Sequence, residues 1–445
     1  MRRPAAVGAL VTFAVLVATS GRYGYSRDEL YFRAAGRHLD WGYPDQPPLT
    51  PLLARLFDTG SVVVLRLPSS ASAAIVVLLT GLLAERLGAR RSGQWLAVGS
   101  TALCGLVLGT GHLLSTATTM LVGSVLITYL VLVVLQGGDR RLWLLIGLVG
   151  GITFQANPLV GFLLLALAIT LRRPGAFVAG GIALLIGLPY LVWQAQHGWP
   201  QLDVARSIAQ GNSASSVPRA LFLVFLLLQI GPWLAVIWIP GLVRTLRDPK
   251  LRGFGVAFLV LTVVFIALGG KPYYVSGFVP LFLAAGAQPV VDRTASWVPP
   301  ALLLLSTPVL VFALPLIPIA DEGWVLAVNP DAGETIGWPS FAHQVSAVVP
   351  PGAVVVTGNY GEAGALQRYT SLQVFSGHNG YGLWDVPPGS APAVLVGLDP
   401  AYCLNKDVVG TIRMPVDNDE NGTVLRTCTP TAPWAQLWPQ IRHDG

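Results

Sequence analysis

The chain has 445 residues, of which 53% are hydrophobic and only 11% are charged. Long apolar runs recur from Val7 to about Ile317, which excludes an ordinary water-soluble protein and predicts a polytopic α-helical membrane protein. A net charge of +6 does not indicate nucleic-acid binding, since many of the basic residues lie in short loops, where they set membrane topology.

Apolar segments follow one another along residues 1–317. A bilayer-crossing helix needs roughly 20 apolar residues, so we expect about eleven transmembrane helices in this first domain. Met1-Arg2-Arg3 before Val7–Thr19 is also compatible with a cleaved signal peptide, but the many later segments favour an uncleaved first helix. The segments lie near residues 5–20, 67–83, 95–109, 116–135, 142–155, 159–171, 175–193, 218–240, 254–268, 274–288 and 298–317.

Basic residues in the connecting loops predict the orientation of the chain. They share one side of the membrane, which the positive-inside rule assigns to the cytoplasm. The N-terminus is then cytoplasmic, while loops 21–66, 110–115, 194–217 and 269–273 and the region after about Pro318 are extracytoplasmic. The basic residues are Arg2, Arg3, Arg86, Arg90, Arg91, Arg140, Arg141, Arg172, Arg173, Arg244, Arg247, Lys250, Arg252 and Arg293.

The first predicted outer loop, residues 21–66, carries carboxylates directly after an apolar segment. Carboxylates at a membrane surface cost desolvation free energy, so they are candidate functional groups. Ser26 and Glu29 match a capping box that opens a helix, which gives Glu29 a structural explanation besides a substrate contact. Asp28 has a weaker structural explanation, because it merely suits the positive end of the helix dipole. We therefore expect Asp28 to be the catalytic base.

Arg33 and Arg37 lie on one face of the same predicted helix. Two guanidinium groups on one face suit a phosphate or diphosphate. The alternative is an amphipathic helix on the membrane, with both arginines extended to the interface.

Asp45 is the second candidate catalytic residue. It lies in Tyr43–Leu49, where prolines fix an extended loop. Such a loop can position an acceptor or hold a divalent metal ion, although an ordinary turn has the same residues. One aspartate with a distant histidine is not a complete ligand set, so the need for a metal stays open.

Lys271, Tyr273 and Tyr274 follow the ninth apolar segment at its predicted outer end. They either bind a lipid-linked phosphate or form an interfacial aromatic belt beside an extended lysine. His112 and His197 are candidate ligands or proton carriers, but single histidines without ligand spacing are weak signals. The sequence has no P-loop, no GxGxxG opening a helix and no HExxH, so it does not support ATP-driven or nicotinamide-dependent chemistry.

Two further features concern segments outside these loops. The segments at 142–155 and 159–171 are short for full crossings, so we expect a hairpin with residues 155–158 at its tip. Residues 318–445 are more polar and predict a small α/β domain, with strands at Ala353–Thr357 and Ala393–Val396 and a helix at Tyr360–Tyr369. Cys403 and Cys428 lie in this extracytoplasmic region, which favours a disulfide over two free thiols.

These stretches together resemble bacterial GT-C membrane glycosyltransferases of the protein-mannosyltransferase and aminoarabinose-transferase type, over nearly the whole chain. The resemblance implies sugar transfer from a polyprenyl-phosphate donor at the outer face, usually with inversion. It also implies that Asp28 is the catalytic carboxylate, that Asp45 helps to form the site, and that Lys271 and Tyr273 lie near the donor phosphate. The matching residues are 27–32, 36–38, 41–49, 270–274, 358–365 and 376–379.

Two positions depart from the family pattern. Met120 lies where relatives often carry an acidic residue after the Ser-Thr of the fourth segment, and Asn157 lies where they often have a lysine. Either change would alter donor choice or mark a weakened or regulatory homologue. The alternatives to an enzyme are a polyprenyl-lipid or glycolipid transporter and a non-catalytic subunit of an envelope complex. The sequence identifies neither the sugar nor the protein, lipid or glycan acceptor.

Overall fold

The computed structural model of this chain describes residues 3–211 and 216–444. Arg2, which the topology prediction uses, and residues 212–215 of the predicted outer loop 194–217 lie outside the described residues. Within the described part, the helices before residue 318 are α1 (Arg3–Ser20), α2 (Arg27–Ala35), α3 (Leu49–Phe57), α4 (Val62–Arg86), α5 (Arg91–Ala102), α6 (Gly105–His112), α7 (Thr116–Leu135), α8 (Leu142–Phe154), α9 (Val160–Leu171), α10 (Pro174–Gln196), α11 (Pro200–Gln210), α12 (Phe222–Ile230), α13 (Ala235–Arg247), α14 (Arg252–Leu268), α15 (Val279–Arg293), α16 (Val298–Ser306) and α17 (Val309–Ala313).

Several of these helices are long and apolar enough to cross a membrane. Among the described residues, five helices meet that condition, namely α1, α4, α7, α10 and the stretch Pro272–Arg293 that ends with α15. Two bent pairs, α5–α6 and Arg219–Arg247, would raise the number to seven, and four shorter apolar helices lie at the remaining predicted segments. The chain is therefore a multi-pass membrane protein, while eleven crossings stay a prediction.

The sharpest break falls between α12 and α13, whose axes differ by 92°. Gly231 has φ +122°, a backbone conformation that favours glycine. Pro232 follows it and cannot donate the hydrogen bond that would continue the preceding helix. The predicted segment 218–240 is accordingly two helices with a corner between them.

The predicted hairpin is present between α8 and α9. The backbone amide of Leu49, at the start of α3, donates to the carbonyl oxygen of Gln155 at the hairpin tip, at 2.8 Å. The hairpin tip therefore contacts the first loop, four residues after Asp45.

The chain after Pro318 contains a five-stranded sheet with the order β2-β1-β3-β5-β4. Strand β1 pairs in parallel with β2 and β3, whereas β5 is antiparallel to both β3 and β4. The predicted strands correspond to β1 and β3, and the predicted helix Tyr360–Tyr369 has the predicted bounds. The elements are α18 (Gly323–Leu326), α19 (Trp338–Ser346), β1 (Val354–Thr357), α20 (Tyr360–Tyr369), β2 (Val374–Ser376), α21 (Tyr381–Trp384), β3 (Ala393–Val396), β4 (Val408–Thr411), β5 (Val424–Cys428) and α22 (Trp434–Ile441).

Cys403 and Cys428 are joined by a disulfide bond, which ties the end of β5 to the segment before β4. Cys104 is a buried free cysteine in the link between α5 and α6. The domain boundary between residues 317 and 318 stays a prediction.

One hydrophobic cluster joins the first loop to the C-terminal sheet region. Leu30 and Tyr31 from α2 are buried together with Trp338 and Phe341 from α19 and Leu366 from α20. The packed face of α2 thus belongs to the same core as the α/β domain, which fixes the opening turn of α2 against that domain.

Candidate functional site

Asp28 lies in the first turn of α2, at the junction between the first loop and the C-terminal domain. Ser26 caps the helix and forms a capping box with Glu29, so the direction in which the turn begins is fixed. Asp28 is partly exposed, and its Oδ1 accepts a 2.8 Å hydrogen bond from the hydroxyl of Tyr360 in α20. A candidate base from the first loop is therefore held by a residue 332 positions away.

Asp45 is held in the same way by a second tyrosine. The hydroxyl of Tyr31 donates to Asp45 Oδ1 at 2.7 Å and accepts from the backbone amide of Gly380 at 3.2 Å. The rings of Tyr31 and Tyr360 lie 4.8 Å apart between centroids. The two candidate aspartates are thus linked through a pair of contacting tyrosine rings.

Burial raises the pKa of the Asp45 carboxyl to about 7, and the hydrogen bond from Tyr31 opposes this shift. The nearby carboxylates of Asp28 and Asp444 raise it further, because like charges disfavour ionisation. Two interacting carboxyl groups with different environments are typical of acid–base sites.

Lys271 lies between α14 and the 3₁₀ segment Pro272–Phe278 and is partly buried. Burial lowers the pKa of its ammonium group, and the Asp28 carboxylate is the strongest influence in the opposite direction. Tyr273 likewise lies close enough to Asp28 for the two groups to interact electrostatically. The structure therefore brings Lys271, Tyr273 and Asp28 into one electrostatic neighbourhood, while Tyr274 contacts the ring of Tyr273.

Arg27 is the centre of an acidic group that the sequence did not indicate. Its guanidinium lies 3.2 Å from Glu334, 3.3 Å from Asp419 and 5.2 Å from the ring centroid of Tyr360. Burial raises the pKa of Glu334 to about 8, although the charge of Arg27 opposes this shift, and the nearby carboxylates add a smaller rise. Burial also raises the pKa of Asp331. Glu334 and Asp331 lie in a short 3₁₀ stretch, Pro330–Thr335, whose sequence has no recognisable motif.

The structure gives Glu29 a structural role in place of the predicted substrate contact. Its carboxylate is fully buried and pairs with Arg66 of α4 through two 2.8 Å hydrogen bonds. It also accepts from the backbone amides of Ser26 and Leu114, both at 2.9 Å. We therefore leave Glu29 out of the proposed substrate contacts.

The two predicted phosphate-binding arginines both face Asp58. Arg33 is buried, donates to Asp58 at 2.9 Å, and lies 4.9 Å from the ring of Tyr25. Arg37 is exposed and lies 4.0 Å from the other Asp58 oxygen. Arg33 is thus occupied in an internal ion pair, and only Arg37 keeps an accessible guanidinium.

Neither predicted histidine has a ligand-like setting. His112 is buried at the end of α6, and its Nδ1 has no hydrogen-bond partner among the described residues. The ring of His197 stacks on Trp193 at 3.9 Å. Within residues 3–211 and 216–444, no group of three or more histidine, cysteine, aspartate or glutamate side chains could hold a metal ion. The described side chains around Asp45 therefore do not form a ligand set for a metal ion, and the proposed reaction below includes no metal-dependent step.

The two departures from the family pattern have different settings. Met120 is buried and lines a small pocket together with Phe278, Tyr274 and several aliphatic side chains. A carboxylate at position 120 would be costly there, so the methionine suits its surroundings. Asn157, at the hairpin tip, accepts a hydrogen bond from the backbone amide of Leu159.

Comparison with known proteins gives a partial sequence match. The family described as dolichyl-phosphate-mannose-protein mannosyltransferase matches residues 45–193, about a third of the chain. No curated protein sequence matches the chain significantly.

Solved structures match over nearly the whole chain. ArnT from Cupriavidus metallidurans in the apo state has a TM-score of 0.62 and 13% identity, covering 94% of this chain and 96% of that chain. The same protein bound to undecaprenyl phosphate has a TM-score of 0.60 and 16% identity with the same coverage. The arabinofuranosyltransferase AftD from Mycobacteria has a TM-score of 0.52 and 15% identity, covering 97% of this chain and 40% of that chain.

At such low identities these matches show the fold. The predicted fold class, an all-α polytopic membrane domain of the GT-C type with a small C-terminal α/β domain, is confirmed. The structural matches and the partial family match likewise confirm the resemblance of this chain to GT-C glycosyltransferases of the protein-mannosyltransferase and aminoarabinose-transferase type.

Proposed function

We propose that this chain is an integral membrane glycosyltransferase, with Asp28 as its general base. It moves a sugar from a polyprenyl-phosphate donor to an acceptor of the cell envelope at the outer face. The observation that carries the proposal is the partly exposed Asp28 carboxylate, which Tyr360 holds and whose charge interacts with those of Asp45 and Lys271. The same fold in ArnT, which has been solved with undecaprenyl phosphate bound, supports a polyprenyl-phosphate donor.

The reaction assigned to this site is an inverting displacement. The acceptor hydroxyl gives its proton to Asp28 as its oxygen bonds to the anomeric carbon of the sugar. The bond between that carbon and the phosphate oxygen breaks, and the electron pair leaves with the polyprenyl phosphate. The departing phosphate gains one negative charge, which the ammonium group of Lys271 is placed to stabilise.

Asp45 orients the acceptor in this proposal. Its carboxyl lies close enough to Asp28 for the two charges to interact, and the hydrogen bond from Tyr31 fixes it. A group whose pKa is about 7 exists in both protonation states near neutral pH. It can therefore accept a hydrogen bond from a sugar or acceptor hydroxyl, or donate one.

The test is Asp28→Asn in cells that otherwise lack the protein. The amide has the shape of the carboxylate and still accepts the Tyr360 hydrogen bond, but it does not take a proton. Removing a general base lowers a rate by roughly 10²- to 10⁴-fold, so polyprenyl-phosphate sugars should accumulate as they do without the protein. Mass spectrometry of the lipid extract measures that accumulation and identifies the sugar.

Asp40→Asn is the matched control. Asp40 lies in the same loop and is exposed, and its carboxylate accepts hydrogen bonds from the indole of Trp193 and the backbone amide of Trp41. An asparagine oxygen can still accept the bond from Trp193. This variant should prevent the accumulation as the original protein does. If Asp28→Asn also prevents it, Asp28 is not the base. Movement of a labelled polyprenyl lipid across vesicles that survives Asp28→Asn would indicate a transporter instead.

A further inference from the structure

We propose that Tyr360 of the C-terminal domain is a positioning residue for the Asp28 base, so that the site is complete only when this domain is docked on α2. The inference rests on the proposed function and adds to it a role for the α/β domain. The direct observation is the 2.8 Å hydrogen bond from the Tyr360 hydroxyl to Asp28 Oδ1.

The position of Tyr360 is fixed by the start of α20. Asn359 caps this helix, and Glu362 completes a capping box with both reciprocal hydrogen bonds present. Such a box fixes the entry of the chain into the helix, so the first helical residue has a defined direction. Tyr360 is that first residue, and it follows the end of β1 by only three positions.

Two glycines allow α20 to lie close against α2. A Cβ at Gly361 would be 2.8 Å from the Cβ of Arg27, and one at Gly364 would be 2.8 Å from the Cβ of Leu30. Real Cβ atoms do not approach so closely, so a larger residue at either position would force the helices apart. The spacing of three residues places both glycines on one side of α20, facing α2. This close approach brings the Tyr360 hydroxyl within hydrogen-bond reach of Asp28.

The Tyr360 ring is held on several sides. The guanidinium of Arg27 lies 5.2 Å from its centroid, the ring of Tyr31 lies at 4.8 Å, and the ring of His378 lies at 4.7 Å. A ring so enclosed keeps its hydroxyl in one place. Burial, and then the charge of Asp28, raise the hydroxyl pKa of Tyr360 well above its ordinary value, so the group stays protonated and acts as a donor.

A general base must point at the hydroxyl that it deprotonates, and a shift of about 1 Å can cost a large factor in rate. Asp28 is in the first turn of a helix at the domain junction, and its side chain has rotamers that face away from any acceptor. The Tyr360 hydroxyl selects one of them. In this view the C-terminal domain contributes to catalysis directly, by fixing the base of the membrane domain.

The test compares Tyr360→Phe with Tyr369→Phe, a control in the same helix, using the purified full chain. The probe is the polyprenyl-phosphate sugar fraction from cells lacking the protein, with the envelope fraction of those cells as acceptor. Release of polyprenyl phosphate gives kcat and the apparent donor KM. A hydrogen bond to a charged group is worth enough that kcat should fall roughly 10- to 100-fold in Tyr360→Phe. The donor KM should stay within twofold of its value in Tyr369→Phe. The thermal midpoint should stay within a few degrees of that of the same control.

Each other outcome overturns the inference in a recognisable way. An unchanged kcat in Tyr360→Phe, with Asp28→Asn inactive, would remove the positioning role and leave the proposed function standing. A fall in kcat would show a merely structural contact if the thermal midpoint also fell by more than a few degrees, or if the donor KM rose more than twofold. Activity in Asp28→Asn itself would refute the proposed function, and the positioning role would fall with it.

Discussion

The buried ion pair between Glu29 and Arg66 allows a quantitative prediction about stability. Glu29 is 0% exposed, and its side chain accepts four hydrogen bonds. Oε1 accepts from Arg66 Nε and the Leu114 amide, and Oε2 accepts from Arg66 Nη2 and the Ser26 amide. Glu29→Gln replaces one of these oxygens with an NH₂ group, which faces two donors whichever way the amide is turned.

The expected cost follows from what remains buried. Two hydrogen bonds to a charged group are lost at about 1.5–3 kcal/mol each, so the sum is roughly 3–6 kcal/mol. The guanidinium of Arg66 also stays buried without a counter-charge, and breaking a buried pair in this way costs about 3–5 kcal/mol when measured as one event. The two figures describe the same loss, so we expect Glu29→Gln to lower the free energy of unfolding by about 3–5 kcal/mol.

The assay is equilibrium unfolding of the purified chain in mixed micelles, followed by tryptophan fluorescence. The control is Asp203→Asn, which breaks the exposed pair with Arg206 in α11. Exposed pairs contribute little because water and salt screen them, so this control should unfold close to the original chain. If Glu29→Gln unfolded together with Asp203→Asn, the Glu29–Arg66 pair would not be the anchor of the first loop.

Two further predictions concern the site itself. Gly364→Ala should push α20 away from Leu30 at an overpacking cost of about 1–3 kcal/mol and lower the sugar-transfer rate. The control Ala363→Gly should leave the transfer rate unchanged. Release of polyprenyl phosphate measures both variants, and full activity in Gly364→Ala would contradict the close contact between the helices. Burial raises the pKa of Asp45 from 3.8 to about 7, so its contribution favours the folded state at low pH and is lost as pH rises from about 4 to 7. Asp45→Asn should therefore raise the thermal midpoint more at pH 8 than at pH 5, and an equal effect at both pH values would mean that the pKa of Asp45 is not raised in the folded chain.

Local sequence patterns were sufficient for much of the fold. The capping residues Ser26 and Glu29 indicated the start of α2, and the apolar runs at β1 and β3 indicated buried strands. Each of these features depends on residues within a few positions of one another. Strand β4 was not indicated, because it lies at the edge of the sheet and is mostly exposed, so it has no continuous apolar run.

The candidate site shows where sequence reasoning stops. Asp28 and Asp45 could be selected because their immediate neighbours are unusual, whereas Tyr360 belonged to the matching segment 358–365 without any role that its neighbours indicated. Its contact with Asp28 spans 332 positions, and no local pattern encodes it. The available signal was the pair of glycines at 361 and 364, which in a short helix indicates a close partner without naming it.

Arg33 illustrates the opposite error. Its spacing from Arg37 on one helix face suggested a shared phosphate, yet the folded chain supplies Asp58, 25 positions away, as an internal partner. A charge on a helix face can serve a ligand or a neighbouring element, and only the tertiary arrangement decides between them. The spacing of the two arginines therefore did not account for a carboxylate partner from another element, and Lys271 is the cation whose charge interacts with that of Asp28.

Neighbouring residues in the first turn of α2 have separate tasks, and the structure suggests why. Glu29 ties that turn to the membrane helices, since Arg66 also donates to the carbonyl oxygens of Ser20 and Gly24. Asp28, one residue earlier, points to the C-terminal domain and is held by Tyr360. The backbone of the base is thus fixed from one side and its side chain from the other. A base fixed at both levels needs little reorganisation when the acceptor arrives, which is the condition under which a carboxylate accelerates a displacement most.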